Sequence, residues 1–109
     1  MLDLTSNATD WTYLAEIMKT LGHPIRLHLV AILSERDANP SDLAKEIRAN
    51  QAVVSQHLSI LRMRGLVSNT RVAGRAVYTL EEIKLRDLID WIGGCQRPVS
   101  TFAHAGEGT

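Results

Sequence analysis

At Gly65 the spacing of apolar residues changes, and that change restricts what this chain can fold into. Before it they recur at helical intervals. After it, Leu66-Val67-Ser68-Asn69-Thr70-Arg71-Val72 and Arg75-Ala76-Val77-Tyr78-Thr79-Leu80 nearly alternate around Ala73-Gly74, the pattern of a β-hairpin. A short hairpin cannot bury its own apolar face, so it must rest on the helices that surround it.

Those helices are legible from their stripes. Asp10 is placed to cap a first helix carrying Leu14, Ile17, Met18 and Leu21, closed by Gly22. His23-Pro24 opens a second. Its stripe is Ile25, Leu29, Ile32 and Leu33, and Leu27, Val30 and Ala31 make it apolar almost all round, which places it centrally. Asn39-Pro40 reads as a turn with Ser41 capping a third, short helix that holds Leu43, Ala44 and Ile47. After Arg48-Ala49-Asn50, a fourth runs from an Asn50 cap to about Arg64, with Val54, Leu58 and Leu61 inward and Gly65 at its end. Beyond the hairpin, Leu85, Leu88, Ile89 and Ile92 restore the helical period from Glu82 to Ile92. Glu81 and Glu82 suit its N-terminal end, and Gly93-Gly94 terminates it. The expected fold is mainly α with a small β-hairpin wing, about five helices forming a winged helix-turn-helix.

A chain of 109 residues fits one compact domain over residues 10–95, preceded by a segment 1–9 and followed by a small, polar, Pro-interrupted stretch at 96–109 that reads as a mobile tail. So short a chain is marginal alone, which makes a homodimer the expected state. One cysteine excludes an internal disulfide framework and a cysteine-rich zinc site, which fits a reducing cytoplasm. No apolar run approaches the roughly 20 residues needed to cross a bilayer, and Met1 to Asp10 lacks the features of a signal peptide; no membrane partner is expected.

Net charge is zero, but it is segregated. Residues 1–47 carry four basic and seven acidic side chains, and residues 80–109 carry three and five. Residues 48–79 carry Arg48, Arg62, Arg64, Arg71 and Arg75 with no carboxylate. That stretch coincides with the fourth helix and the hairpin, so it should meet an anion. On the fourth helix Ala52, Ser55, Gln56 and Ser59 lie opposite Val54, and Gln51 sits in the first turn. Gln can pair with adenine, Ser can bond several base edges and Ala can touch a thymine methyl group, while Arg62, Arg71 and Arg75 neutralise phosphates. Double-stranded DNA is the expected partner.

Three runs together resemble the ArsR/SmtB family of winged-helix transcriptional repressors. They are Leu21-Gly22-His23-Pro24-Ile25-Arg26-Leu27, the stretch Val54-Ser55-Gln56-His57-Leu58-Ser59-Ile60-Leu61-Arg62 ending in Gly65-Leu66-Val67, and Gly74-Arg75-Ala76-Val77-Tyr78. The similarity covers about residues 12–92. It implies a homodimer joined through the first and last helices, recognition helices in successive major grooves, and repression relieved by a signal. Gln51, Ala52, Ser55 and Gln56 match the family's base-contacting positions, with Ala52 replacing a frequent Ser. Trp11, Leu14 and Met18 on the first helix and Leu88, Trp91 and Ile92 on the last form the expected dimer surface.

The sensing residues of the family are not matched. Metal-sensing members often carry a cysteine pair in the helix before the recognition helix, or Asp, His and Glu ligands along the last one. Here the third helix has no Cys and the last has no His. His104 and Glu107 have a ligand-like spacing without visible partners, so no metal and no cofactor is expected. Cys95 is the one candidate redox sensor, weighed against a structural thiol. His23, His28 and His57 read as packing residues, and Met18 and Met63 as core or flank. The inducer is not legible. Ser55 and His57 lack the nucleophile elbow or phosphate loop of an enzyme. A winged helix that binds protein, as an antirepressor or adaptor, is the alternative to specific DNA binding.

Overall fold

A computed structural model of the chain describes residues 10–81 and 83–94; the side chains of Ile83, Lys84 and Ile92 are outside that description, as are segment 1–9, Cys95 and the tail 96–109. In chain order the elements are α1 (Trp11–Leu21), α2 (Pro24–Glu35), α3 (Pro40–Ile47), α4 (Gln51–Met63), β1 (Val67–Val72), β2 (Arg75–Leu80) and α5 (Ile83–Gly94). Five helices with a two-stranded antiparallel hairpin make a winged helix-turn-helix.

Each of the first four helices starts on a side-chain cap. Asp10 accepts a hydrogen bond from the Tyr13 amide at 3.0 Å, and His23 Nδ1 accepts from Ile25 at 3.1 Å with Pro24 in the first turn. Asn50 Oδ1 accepts from Ala52 at 2.7 Å. The cap of α3 is Asn39, whose Oδ1 accepts from the Asp42 amide at 2.8 Å, and not the expected Ser41. Pro40 explains the shift. Its fixed φ suits the first helical position, which moves the cap to the residue before it.

α2 is the hub, packing on α1, α3, α4, α5 and β2. Leu29, Val30, Ile32 and Leu33 are buried on it, and Val54, Leu58 and Leu61 of α4 are fully enclosed. Burial of this kind contributes on the order of 2 kcal/mol per side chain. His28 does not join the core; it is exposed on α2.

The hairpin pairs Val67 with Leu80 through Val72 with Arg75. Ala73 and Gly74 both take positive φ, 52° and 79°, the two-residue loop whose twist matches the strands. Leu66, Val67, Tyr78 and Leu80 bury the wing's root, while Asn69 to Arg75 are exposed. Ala38, between α2 and α3, pairs with Tyr78 through two backbone bonds of 3.2 and 2.8 Å and ties the wing to the helices. α5 docks through Leu85 and Ile89, and the Arg86 guanidinium donates to the Ser34 carbonyl of α2. It runs on through Gly93 and Gly94, where a stop was expected. A glycine ends a helix by turning left-handed, and neither does so here. Among the described residues, no helix is long and apolar enough to cross a membrane.

Candidate nucleic-acid interface

The turn between α3 and α4 is built by one strained residue. Arg48 adopts φ 57° and ψ 49°, and the Ala49 amide reaches back to the Ala44 carbonyl at 3.0 Å, closing α3 and throwing α4 off at an angle. The far end of α4 uses the same device with Gly65 at φ 76° and a Leu66 to Leu61 bond of 3.0 Å. Between these stops the buried stripe fixes how α4 is rotated.

That rotation presents the residues expected to read bases. Gln51, Ala52, Gln56 and Ser59 are exposed; Ser55 is half-buried at the edge, followed along that edge by exposed Arg62. Sequence reasoning passed over a second group on the outer face. Val53, Ile60 and Met63 are also exposed, Met63 at 83%, so it is neither core nor flank. Counting residues from Gln56 would have found them, since 53, 60 and 63 all fall three or four places from a residue of that face.

All five arginines of the acid-free stretch are exposed. Arg71 Nη1 donates to the Gly74 carbonyl at 2.9 Å and stiffens the wing tip. Arg64 Nη1 lies 3.8 Å from Glu16 of α1, a solvated pair of little strength. Among the described residues, Arg48, Arg62, Arg71 and Arg75 form no ion pair, whereas Arg36, outside the stretch, pairs with Glu46. Four guanidinium groups are therefore available to an external anion.

Behind this face His57 locks α4 to α2. Its ring lies 4.3 Å from that of His23, tilted by 40°, and its Nδ1 is 3.4 Å from Arg26 Nη1. Arg26 Nε in turn donates to the Thr20 carbonyl at 2.6 Å. Burial, then the neighbouring His23 and Arg26, holds the His57 pKa below its ordinary 6.5. The neutral imidazole accepts from Arg26 and packs, as the sequence led us to expect.

The terminal helices differ. Trp11, Met18 and Trp91 expose 59%, 49% and 67% of their surface, while Leu14 and Leu88 are half-buried. The remaining expected dimer residue, Ile92, lies on α5 with its side chain outside the described residues, and Cys95, the candidate sensor, is outside them altogether. Among the described residues, no group of three or more His, Cys, Asp or Glu is arranged to hold a metal ion; His104 and Glu107 are outside them.

A sequence model described as bacterial regulatory protein, arsR family, matches residues 23–69, from the start of α2 into β1. The biofilm growth-associated repressor of Xylella fastidiosa is 37% identical over 76 residues, covering 70% of this chain and 67% of that protein. The chain belongs to the arsR family. The crystal structure of the transcriptional repressor BigR from Xylella fastidiosa superposes with a TM-score of 0.75 at 32% identity, over 80% of this chain and 89% of that one. HlyU from Vibrio cholerae gives 0.72 at 25% identity, over 78% and 95%. This arsR-family protein is thus a DNA-binding transcriptional regulator, and the fold expected from its residues is the fold of its relatives.

Proposed function

We propose that this arsR-family regulator represses transcription as a homodimer on a two-fold symmetric operator, and that a signal releases it. The observation that carries the reading is the outer face of α4. Gln51, Ala52, Gln56 and Ser59 stand exposed on a helix set among four arginines that form no ion pair with any described residue. Short polar side chains on a helix suit base edges in the major groove, and free guanidinium groups suit the phosphates beside them. Gln51, Ala52, Ser55, Gln56 and Ser59 read sequence; Arg62, Arg71 and Arg75 hold the backbone. Repression is favoured because the Xylella fastidiosa relative is named a repressor. The Vibrio cholerae relative is named a transcriptional activator, so transcription from a template carrying the operator decides the direction.

The dimer reading rests on Trp11, Met18 and Trp91, which leave apolar area exposed on α1 and α5. We place it in the cytoplasm, where the chromosome is, and assign it no catalytic role; Ser55 and His57, two residues apart on one helix, do not face each other. For the signal, DNA affinity of reduced, peroxide-treated and polysulfide-treated protein is compared with that of Cys95→Ser; a thiol sensor loses its response in the variant.

The deciding experiment compares a duplex selected from random DNA with an unselected one. Gln56→Ala should weaken the selected duplex alone, by about 1 to 3 kcal/mol, whereas Arg75→Ala should weaken both alike. Equal losses on both duplexes from both variants would contradict this division and favour the protein-binding alternative.

A further inference from the structure

The reading face of α4 has two unlike edges. Ser55, Ser59 and Arg62 form one. On the other, Val53 and Ile60 expose 37% and 39% of their surface, with Gln56 between them, three residues after the first and four before the second. At those intervals the three share one side of the helix. A single exposed aliphatic residue needs no explanation, but two flanking the central reader on a carboxylate-free surface do.

Three occupants can be compared. A second copy of the chain would bring Arg62 and Arg64 of both copies together with no carboxylate from the 48–79 stretch to offset them. A protein partner needs about 800 Å² on each side, far more than the exposed parts of Val53, Ile60 and Met63 on this face supply. The DNA major groove fits the surrounding charge, and it offers one kind of apolar group, the 5-methyl of thymine.

We propose that Val53 and Ile60 are specificity-determining residues that contact the methyl groups of two thymines in each half-site, on either side of the base pair read by Gln56. The inference rests on α4 being the DNA-reading helix. Seven residues of helix rise about 10 Å. Along an inclined major groove that length spans about two to three base-pair steps, so the two thymine positions lie about two to three base pairs apart. This extends the apolar readout beyond Ala52 and makes the operator's thymines, and not its hydrogen-bonding edges alone, part of the recognised chemistry.

The test uses the full chain and the duplex it selects from random DNA. Each thymine is replaced in turn by deoxyuridine, which keeps the pairing edges and removes the methyl group. Wild-type affinity should fall about fourfold at two positions of each half-site, the effect of exposing one buried methyl group. Val53→Ala should bind the thymine and uracil duplexes alike at one of these positions, and Ile60→Ala at the other. Both side chains are on the surface, so the variants keep the wild-type circular dichroism and melting. Equal wild-type affinity for every substituted duplex, or a difference that both variants retain, overturns the proposal while leaving DNA binding intact. Failure to select any sequence, with Gln56→Ala no different from wild type, overturns the DNA-reading assignment itself and this inference with it.

Discussion

The helix-turn-helix with its wing and the pair of terminal helices leave different kinds of surface exposed. α4, the hairpin and Leu66 between them bury Val54, Leu58, Leu61 and Leu66 almost completely and turn outward mainly amides, hydroxyls and arginines, with Val53, Ile60 and Met63 among them. Among their described large apolar side chains, α1 and α5 bury Ile17, Leu21, Leu85 and Ile89 and turn Trp11, Tyr13, Met18 and Trp91 outward. Hydrogen-bond donors and cations satisfy themselves on a polyanion; indole rings satisfy themselves against another apolar face. Under the proposed function the first surface meets DNA and the second meets another copy of the chain.

The largest effect should come from the more fully buried half. Leu58→Ala removes a fully buried side chain between α4 and α2 and should cost about 3 to 4 kcal/mol, read by urea denaturation. A loss below about 1 kcal/mol would mean that α4 is not held by this core. Trp91→Ala probes the other half. It should leave the fold of each chain intact and raise the dimer dissociation constant about thirtyfold, a loss of about 2 kcal/mol seen by sedimentation equilibrium. A wild-type protein that stays monomeric at all concentrations would break the comparison.

Smaller changes sharpen it. α3 and α4 end on the same left-handed turn, one with Arg48 and one with Gly65. Arg48→Gly should therefore raise stability by about 0.5 to 1 kcal/mol while weakening DNA binding, since strain is relieved and a cation is lost. Gly65→Ala should lower stability by about 1 kcal/mol; nothing lies within 4 Å of an added methyl group, so the cost is backbone strain alone. The smallest effect concerns pH. His57 has a folded pKa below its unfolded 6.5, so the unfolded chain takes the proton first as pH falls. Its contribution is full above pH 6.5, declines below it and levels off beneath the folded value. The urea midpoint should drop between pH 7.5 and 5.5, and His57→Gln should reduce that drop.

The sequence carries the element order because each helix keeps its apolar period and each of the first four has a polar cap before it. It misplaces details where two local signals compete. Ser41 and Asn39 can both cap, and Pro40 decides between them; Gly93 and Gly94 permit a stop without requiring one. The exposed polar row was legible from Val54, since an inward residue fixes which side faces out. Val53, Ile60 and Met63 fall on the same face by the same count, but apolar side chains on a short helix invite assignment to the core. His28 is exposed for a related reason: an almost wholly apolar helix gives no clue to which narrow strip meets water. Whether the arginines were free was beyond sequence altogether, as pairing across the fold, such as Arg64 with Glu16, depends on where the fold brings residues far apart in the chain.

The central claim, that the carboxylate-free stretch grips a duplex through its arginines, is tested most directly by measuring affinity for the selected duplex against salt. Three to five phosphates per protomer predict a slope of log affinity on log salt of about −5 to −9 for the dimer, reduced in steepness by about 2 in Arg75→Ala. A slope near zero, or one that Arg75→Ala leaves unchanged, would contradict it.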